Sequence, residues 1–158
     1  MTPVTRLPRD ARRYDIGQLI NEIDNAAACL AACRAAICRK AGLSVERWRA
    51  LAVINRSGFT LSISDLARQL RRSRQSVHPL ALGLERAGWI RLLPNREDRR
   101  LIQMEITGAG KTALRTAQEH WNAWLVTMAS DLGDSELRKL VSTVRAVRKR
   151  IGRARDYV

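Results

Sequence analysis

The chain has 158 residues, 46% hydrophobic and 28% charged, a balance that excludes a disordered polyelectrolyte and suits one domain with a real interior. Aromatic residues are only 4% of the total, so Leu, Ile, Val and Ala must supply that interior. A formal net charge of +14 points to a polyanionic partner, because Lys and Arg that neutralise phosphates release condensed counterions; double-stranded DNA leads, against a basic protein that is merely kept soluble by its charge.

The basic opening MTPVTRLPRDARRYD lacks an apolar signal core, and no apolar run reaches the ~18 residues a bilayer helix needs. The expected location is cytoplasmic, with no membrane partner. From Tyr14 onward Ile16, Leu19, Ile20, Ile23, Ala27, Leu30 and Ile37 recur at spacings of three and four, which predicts a long first helix stopped by Gly42. Cys29, Cys33 and Cys38 lie on it. Their odd number excludes a disulfide framework, and a zinc site would need His78 and His120 from far along the chain, so no metal and no cofactor are expected. Cys29 and Cys33, four residues apart on one face, are the candidate redox pair; inert packing is the competing reading.

Ser44 is placed to cap a second helix in which Val45, Trp48, Leu51 and Ala52 repeat helically, with Asn55 one step further. FTLSIS has strand character and leads to Ser64, read as the cap of DLARQL with its stripe of Leu66, Ala67 and Leu70. After a turn of about three residues, Ser73 caps a helix holding Val77, Leu80, Ala81 and Leu84, closed by Gly88. Two short helices so joined form a helix-turn-helix, and the small Ala67 lets them cross closely. From Trp89 the period changes to two: WIRLLP and RLIQMEIT are strands of a hairpin around the charged NRED. Two helices follow, one from about Gly108 to Ala129 and one from Asp134, the latter with Leu137, Leu140, Val141, Val144, Val147 and Ile151 on one face. There is no internal repeat.

The hairpin carries the most specific pattern. In PNREDRRLIQMEITGAG, Asp98 and Arg100 are followed by Ile106, Thr107 and Gly110, the Asp-x-Arg and hydrophobic-Thr-x-x-Gly spacing of a wing. With SISDLARQL and LERAGWI in support, the chain resembles the MarR family of winged helix-turn-helix regulators over nearly its whole length. A loop carrying Arg96, Arg99 and Arg100 suits a narrow minor groove, whose concentrated negative potential attracts a guanidinium. The resemblance implies that Arg100 enters that groove, with Asp98 holding it in one fork geometry. Thr107 and Gly110 read as structural, ending the strand and opening the next helix.

A helix starting after Ser73 and lying in the major groove would turn Arg74, Gln75, Ser76 and His78 to the DNA. Gln pairs bidentately with adenine and Arg with guanine, while Ser76 suits phosphate. Three residues depart from the family pattern: Pro79 in a place usually basic, Leu82 in one usually polar, and Gly83. They imply a recognition helix that is bent, short or differently packed, and a lost phosphate contact.

The expected architecture is therefore mainly α with a small β wing, a single domain over 1–158. A winged helix-turn-helix core at 44–107 is flanked by N- and C-terminal dimerisation helices at 14–41 and 108–153. The resemblance places a homodimer interface on the terminal helices, with Ile16, Leu19, Ile20, Leu140, Val144, Val147 and Ile151 as its candidates. It also implies a small aromatic effector, for which Trp48, Trp121 and Trp124 are either pocket lining or ordinary core. No catalytic constellation is present, so an enzyme is not expected. The functional reading is a dimeric repressor that binds a pseudo-palindromic operator and is released by a small effector. The alternatives are a thiol-based redox-sensing regulator and a dimeric interaction module with degenerate DNA binding.

Overall fold

The computed structural model describes residues 9–57, 61–95, 102–130 and 132–154. The elements run α1 (Arg9–Lys40), α2 (Val45–Arg56), β1 (Leu61–Ser62), α3 (Ile63–Leu70), α4 (Arg74–Arg86), β2 (Ile90–Pro94), β3 (Ile102–Ile106), α5 (Gly108–Ala129) and α6 (Asp134–Ala154). They fall into two compact units, one ending at Glu119 and the other starting at His120, with α5 running through the boundary.

In the first unit the helices start and stop where side-chain chemistry dictates. Ser44 Oγ accepts the Arg47 N–H at 3.2 Å and opens α2. Gly42 takes φ +69°, and the Leu43 N–H reaches back to the Cys38 carbonyl at 2.9 Å, closing α1. Gly88 does the same for α4 at φ +71°, with Trp89 N–H on the Leu84 carbonyl. In both places a β-carbon would be strained, which is why glycine ends the helix.

Two details of the sequence reading change. The cap of α3 is Ser62, not Ser64: its Oγ accepts the Asp65 N–H at 3.1 Å and donates to Asp65 Oδ2 at 2.6 Å. The Ser62 backbone N–H also meets the Asp65 carboxylate, which completes a capping box, and Ser62-x-x-Asp65 is its sequence signature. In α2 the buried face is Ala50, Leu51, Val53 and Ile54, whereas Asn55 is exposed. The helix is turned so that its compact apolar run faces inward, with Val45 and Trp48 half-buried against the core.

The sheet has three strands in the order β1-β3-β2, all antiparallel. Ile90 pairs with Ile106 and Pro94 with Ile102 across the hairpin. Leu61 pairs with Met104 and Ser62 with Gln103, so the two-residue β1 adds a third strand that anchors the hairpin to the helices. Leu51, Leu66, Val77, Ala81, Leu84, Ile90, Met104 and Ala117 meet in one buried cluster. Ala67, at 3% exposure, is the small residue at the α3–α4 crossing. Among the described residues no polar or charged side chain is buried.

Helix α4 is not shortened by Pro79: it runs 13 residues through the proline. Proline has no N–H, so the Gln75 carbonyl lacks its helical donor; Gln75 and Pro79 are exposed, and water can serve that carbonyl instead. Gly83 has room for a β-carbon, which would make ordinary contact with Arg47 Nη2 at 3.7 Å. The Arg47 guanidinium lies over the Trp89 ring, 5.6 Å from its centroid, a cation–π contact that joins α2 to the base of the hairpin.

Only the end of α1 enters the core, through Ile37 and Cys38. Ile16, Leu19, Ile20 and Leu30 are exposed. In the second unit Trp121 and Trp124 stack with ring centroids 4.9 Å apart. Asp134 and Glu136 in the first turn of α6 favour the positive end of its dipole. Along α6, Leu137, Leu140, Val141, Val144 and Ile151 are exposed and Val147 is half-buried.

Candidate nucleic-acid interface

The helix-turn-helix is α3, the three residues Arg71, Arg72 and Ser73, and α4. Arg71 takes the left-handed conformation at φ 54°, which lets so short a turn reverse the chain. Its N–H and that of Arg72 return to the carbonyls of Arg68 and Ala67 at 3.2 and 2.9 Å. Ser73 Oγ accepts the Ser76 N–H at 3.2 Å, and Ser76 Oγ donates to the Ser73 carbonyl at 2.9 Å. Ser76 thus uses its hydroxyl proton to fix the start of α4.

Val77, Ala81 and Leu84 are buried, which sets the opposite face of α4 outward. Arg74, Gln75, Ser76 and His78 are all exposed, as expected of residues that meet a partner. Ile63, at the start of α3, lines one open groove together with Arg74, Gln75, His78 and Pro79. Pro79 was expected to disturb this helix, and it stands on its outward face among those polar side chains.

Sequence reasoning passed over a further basic group. Arg68, Arg71 and Arg72 are exposed beside Arg74, and RQLRRSR is a legible signal of it. Two of these arginines are held by carboxylates: Arg68 Nη2 lies 2.6 Å from Asp65 Oδ1, and Arg72 Nη2 pairs with Glu46. Such exposed pairs contribute little stability, but they fix where the guanidinium stands. The Ser62 hydroxyl, with Arg68 beside it, holds the Asp65 carboxyl below its ordinary range.

The hairpin is braced from two sides. Glu85 of α4 accepts the Leu92 N–H of β2 at 3.1 Å. Thr107 donates through Oγ1 to the Gly88 carbonyl at 2.7 Å and accepts the Gly110 N–H at 3.0 Å. A β-carbon on Gly110 would lie 2.1 Å from the Trp89 carbonyl oxygen. The Thr and Gly of the wing pattern are therefore structural: one ties the strand end to the α4 terminus, and the other lets α5 pass the backbone there. Arg96, Asp98, Arg99 and Arg100 lie outside the described residues.

A second feature of the first unit is a cleft of about 580 Å³ lined by Ala52, Asn55, Arg56, Lys111, Leu114, Arg115 and Gln118. Its floor is apolar and its rim basic. Trp48, considered as pocket lining, instead packs against the core. Of the thiols, Cys29 is exposed, Cys33 half-buried and Cys38 buried. Burial pushes the Cys38 thiol up despite nearby Arg34, which makes it a poor nucleophile. Among the described residues no group of three His, Cys, Asp or Glu side chains is placed to hold a metal ion. No helix among them is long and apolar enough to cross a membrane.

Comparison with known proteins adds the following. Residues 41–101 match the model of the MarR family. Over 72 residues the chain is 33% identical to the transcriptional activatory protein BadR of Rhodopseudomonas palustris, a match covering 44% of this chain and 41% of that protein, so it spans less than half of the relative's length. A solved MarR family transcription regulator superposes with a TM-score of 0.81 at 16% identity, over 94% of this chain and 99% of its own. The M. tuberculosis transcriptional regulator MOSR, solved in complex with DNA, gives a TM-score of 0.58 at 23% identity, over 84% of this chain and 96% of its own.

Proposed function

We propose that the protein, whose residues 41–101 match the model of the MarR family, binds a pseudo-palindromic DNA operator as a homodimer and represses transcription there. The carrying observation is the outward face of α4. Its start is fixed by the Ser73–Ser76 cap, and Arg74, Gln75 and His78 stand exposed beside Arg71 and Arg72. In the major groove Gln75 reads adenine, Arg74 and His78 read base edges, and the turn arginines neutralise phosphates. The wing inserts Arg100 into the adjacent minor groove with Asp98 orienting it and Arg96 and Arg99 alongside.

Dimerisation uses Ile16, Leu19 and Ile20 of α1 and Leu140, Val144, Val147 and Ile151 of α6. All but the half-buried Val147 are exposed in the single chain, and such long apolar faces favour a second copy. A small aromatic acid releases the operator by binding the basic-rimmed cleft, its ring on Leu114 and Ala52 and its carboxylate toward Arg56, Lys111 or Arg115.

Selection of bound DNA from a random pool tests this reading. The expected product is an inverted repeat whose half-sites are about one helical turn apart. Binding should weaken steeply with salt. Arg100→Ala should abolish most of the affinity at fixed salt and Asp98→Ala less, since losing the orienter leaves the charge. Parental binding by Arg100→Ala would overturn the wing assignment. Transcription in vitro reads the sign: a rise in transcript on adding protein would give this chain an activator's role instead.

A further inference from the structure

Each residue of an α-helix turns 100°, so Gln75 and Pro79, four apart, share one face of α4 with their β-carbons about 5–6 Å apart. That face is opposite the buried Val77, Ala81 and Leu84. The Pro79 ring is exposed and serves no part of the core. Across one open groove it faces Ile63 of α3, with Gln75, His78 and Arg74 completing the lining. Two apolar side chains thus stand among three polar ones, on the side of the helix that carries the base readers.

The major-groove edge of DNA offers one apolar group, the 5-methyl of thymine. Cytosine has only a C5–H where thymine carries the methyl, and beside it an N4 amino donor where thymine has the O4 acceptor. A proline has no N–H and its ring no acceptor, so that donor would lose water without gaining a partner. We propose that Pro79, with Ile63 across the groove, is the specificity-determining contact for a thymine 5-methyl group, placed within a base step of the adenine that Gln75 reads. The inference rests on α4 being the helix that enters the major groove. It gives Pro79 a role in choosing sequence, where a basic residue would have supplied only affinity.

The test uses an operator selected from a random pool and replaces its thymines by deoxyuridine one at a time, which removes the methyl group and keeps the base pair. For the parent, one thymine in each half-site should be sensitive, losing about four-fold in affinity, the effect of taking one methyl group out of an apolar contact. For Pro79→Ala and for Ile63→Ser, the thymine-to-deoxyuridine ratio at that position should fall to about one, whatever happens to overall affinity. Helicity measured by circular dichroism shows that each variant is folded. If no thymine is sensitive, or if the variants keep the parent's ratio, the methyl contact is refuted while sequence-specific binding stands. If the pool yields no preferred sequence, the assignment of α4 as the reading helix falls, and this inference with it.

Discussion

The winged core and the outer helices draw on the same apolar residues and spend them in different ways. Helix α2 buries Ala50, Leu51, Val53 and Ile54 within the chain. Helix α6 has a longer and equally regular stripe, yet none of its described side chains is buried. The first 28 residues of α1, up to Ala36, likewise reach no buried position where their side chains are described. Periodicity reveals that a helix has an apolar face but is silent about what covers it. A face closed by its own chain gives stability independent of concentration, whereas one closed by a second copy gives stability that follows mass action.

The contrast is most severely tested at Gly110. Gly110→Ala forces a β-carbon into the Trp89 carbonyl and should destabilise the winged core by more than about 3 kcal/mol, since backbone cannot step aside as a side chain can. Denaturant unfolding measures this, and near-parental stability would mean that α5 does not start where it passes Trp89. Next in size, Leu66→Ala removes a fully buried side chain and should cost about 2–5 kcal/mol at any protein concentration. Val144→Glu should leave the core's unfolding unchanged while weakening self-association at least roughly 100-fold, because an unpaired carboxylate would have to be buried. Sedimentation across a concentration series separates the two substitutions; a parent that is monomeric at micromolar concentration would end the dimer proposal.

Smaller effects sharpen the comparison. Ser62→Ala removes the α3 cap and should cost about 1 kcal/mol. Asp65 is held below its ordinary range chiefly by the Ser62 hydroxyl, so its folded form prefers the charged state. Its contribution is present at neutral pH and fades as pH falls through the carboxylate range, and in Ser62→Ala much of that slope should disappear. Last, Gly17 in α1 has nothing within 4 Å of an added β-carbon. Gly17→Ala should therefore stabilise α1 by about 0.5–1 kcal/mol, and a loss instead would place a partner against that glycine.

Much of this was legible in the residues. Caps at Ser44 and Ser73, stops at Gly42 and Gly88, and the hairpin strands are local chemistry, and each stands where its residues predict. Ser62 rather than Ser64 caps α3, and the sequence carries that signal: Ser62 has an acidic residue three positions on, whereas Ser64 has Ala67. The third strand was recognised as extended, but its pairing with Met104 joins residues more than forty apart, a contact no local pattern encodes. In α2 the predicted repeat of Val45, Trp48 and Leu51 does turn toward the core, with Ala52 half-buried, but Asn55 at its end is exposed and Ala50, Val53 and Ile54 complete the buried face. Among the site residues, Arg74, Gln75, Ser76 and His78 are all exposed, with the Ser76 hydroxyl also engaged in the α4 cap. The neighbouring Arg71 and Arg72 were visible as a run of charge but had no assigned role.

The bond from the Leu92 N–H to Glu85 has a consequence for solubility. Strand β2 is at the margin of its sheet, where an unoccupied amide invites a strand from another molecule. Glu85 already occupies the Leu92 amide, and Pro94, the next residue whose amide would point the same way, has no N–H to offer. Two outward amide positions on this edge are in this way withheld from strand addition, which lowers the tendency of many copies at high concentration to pair edge to edge.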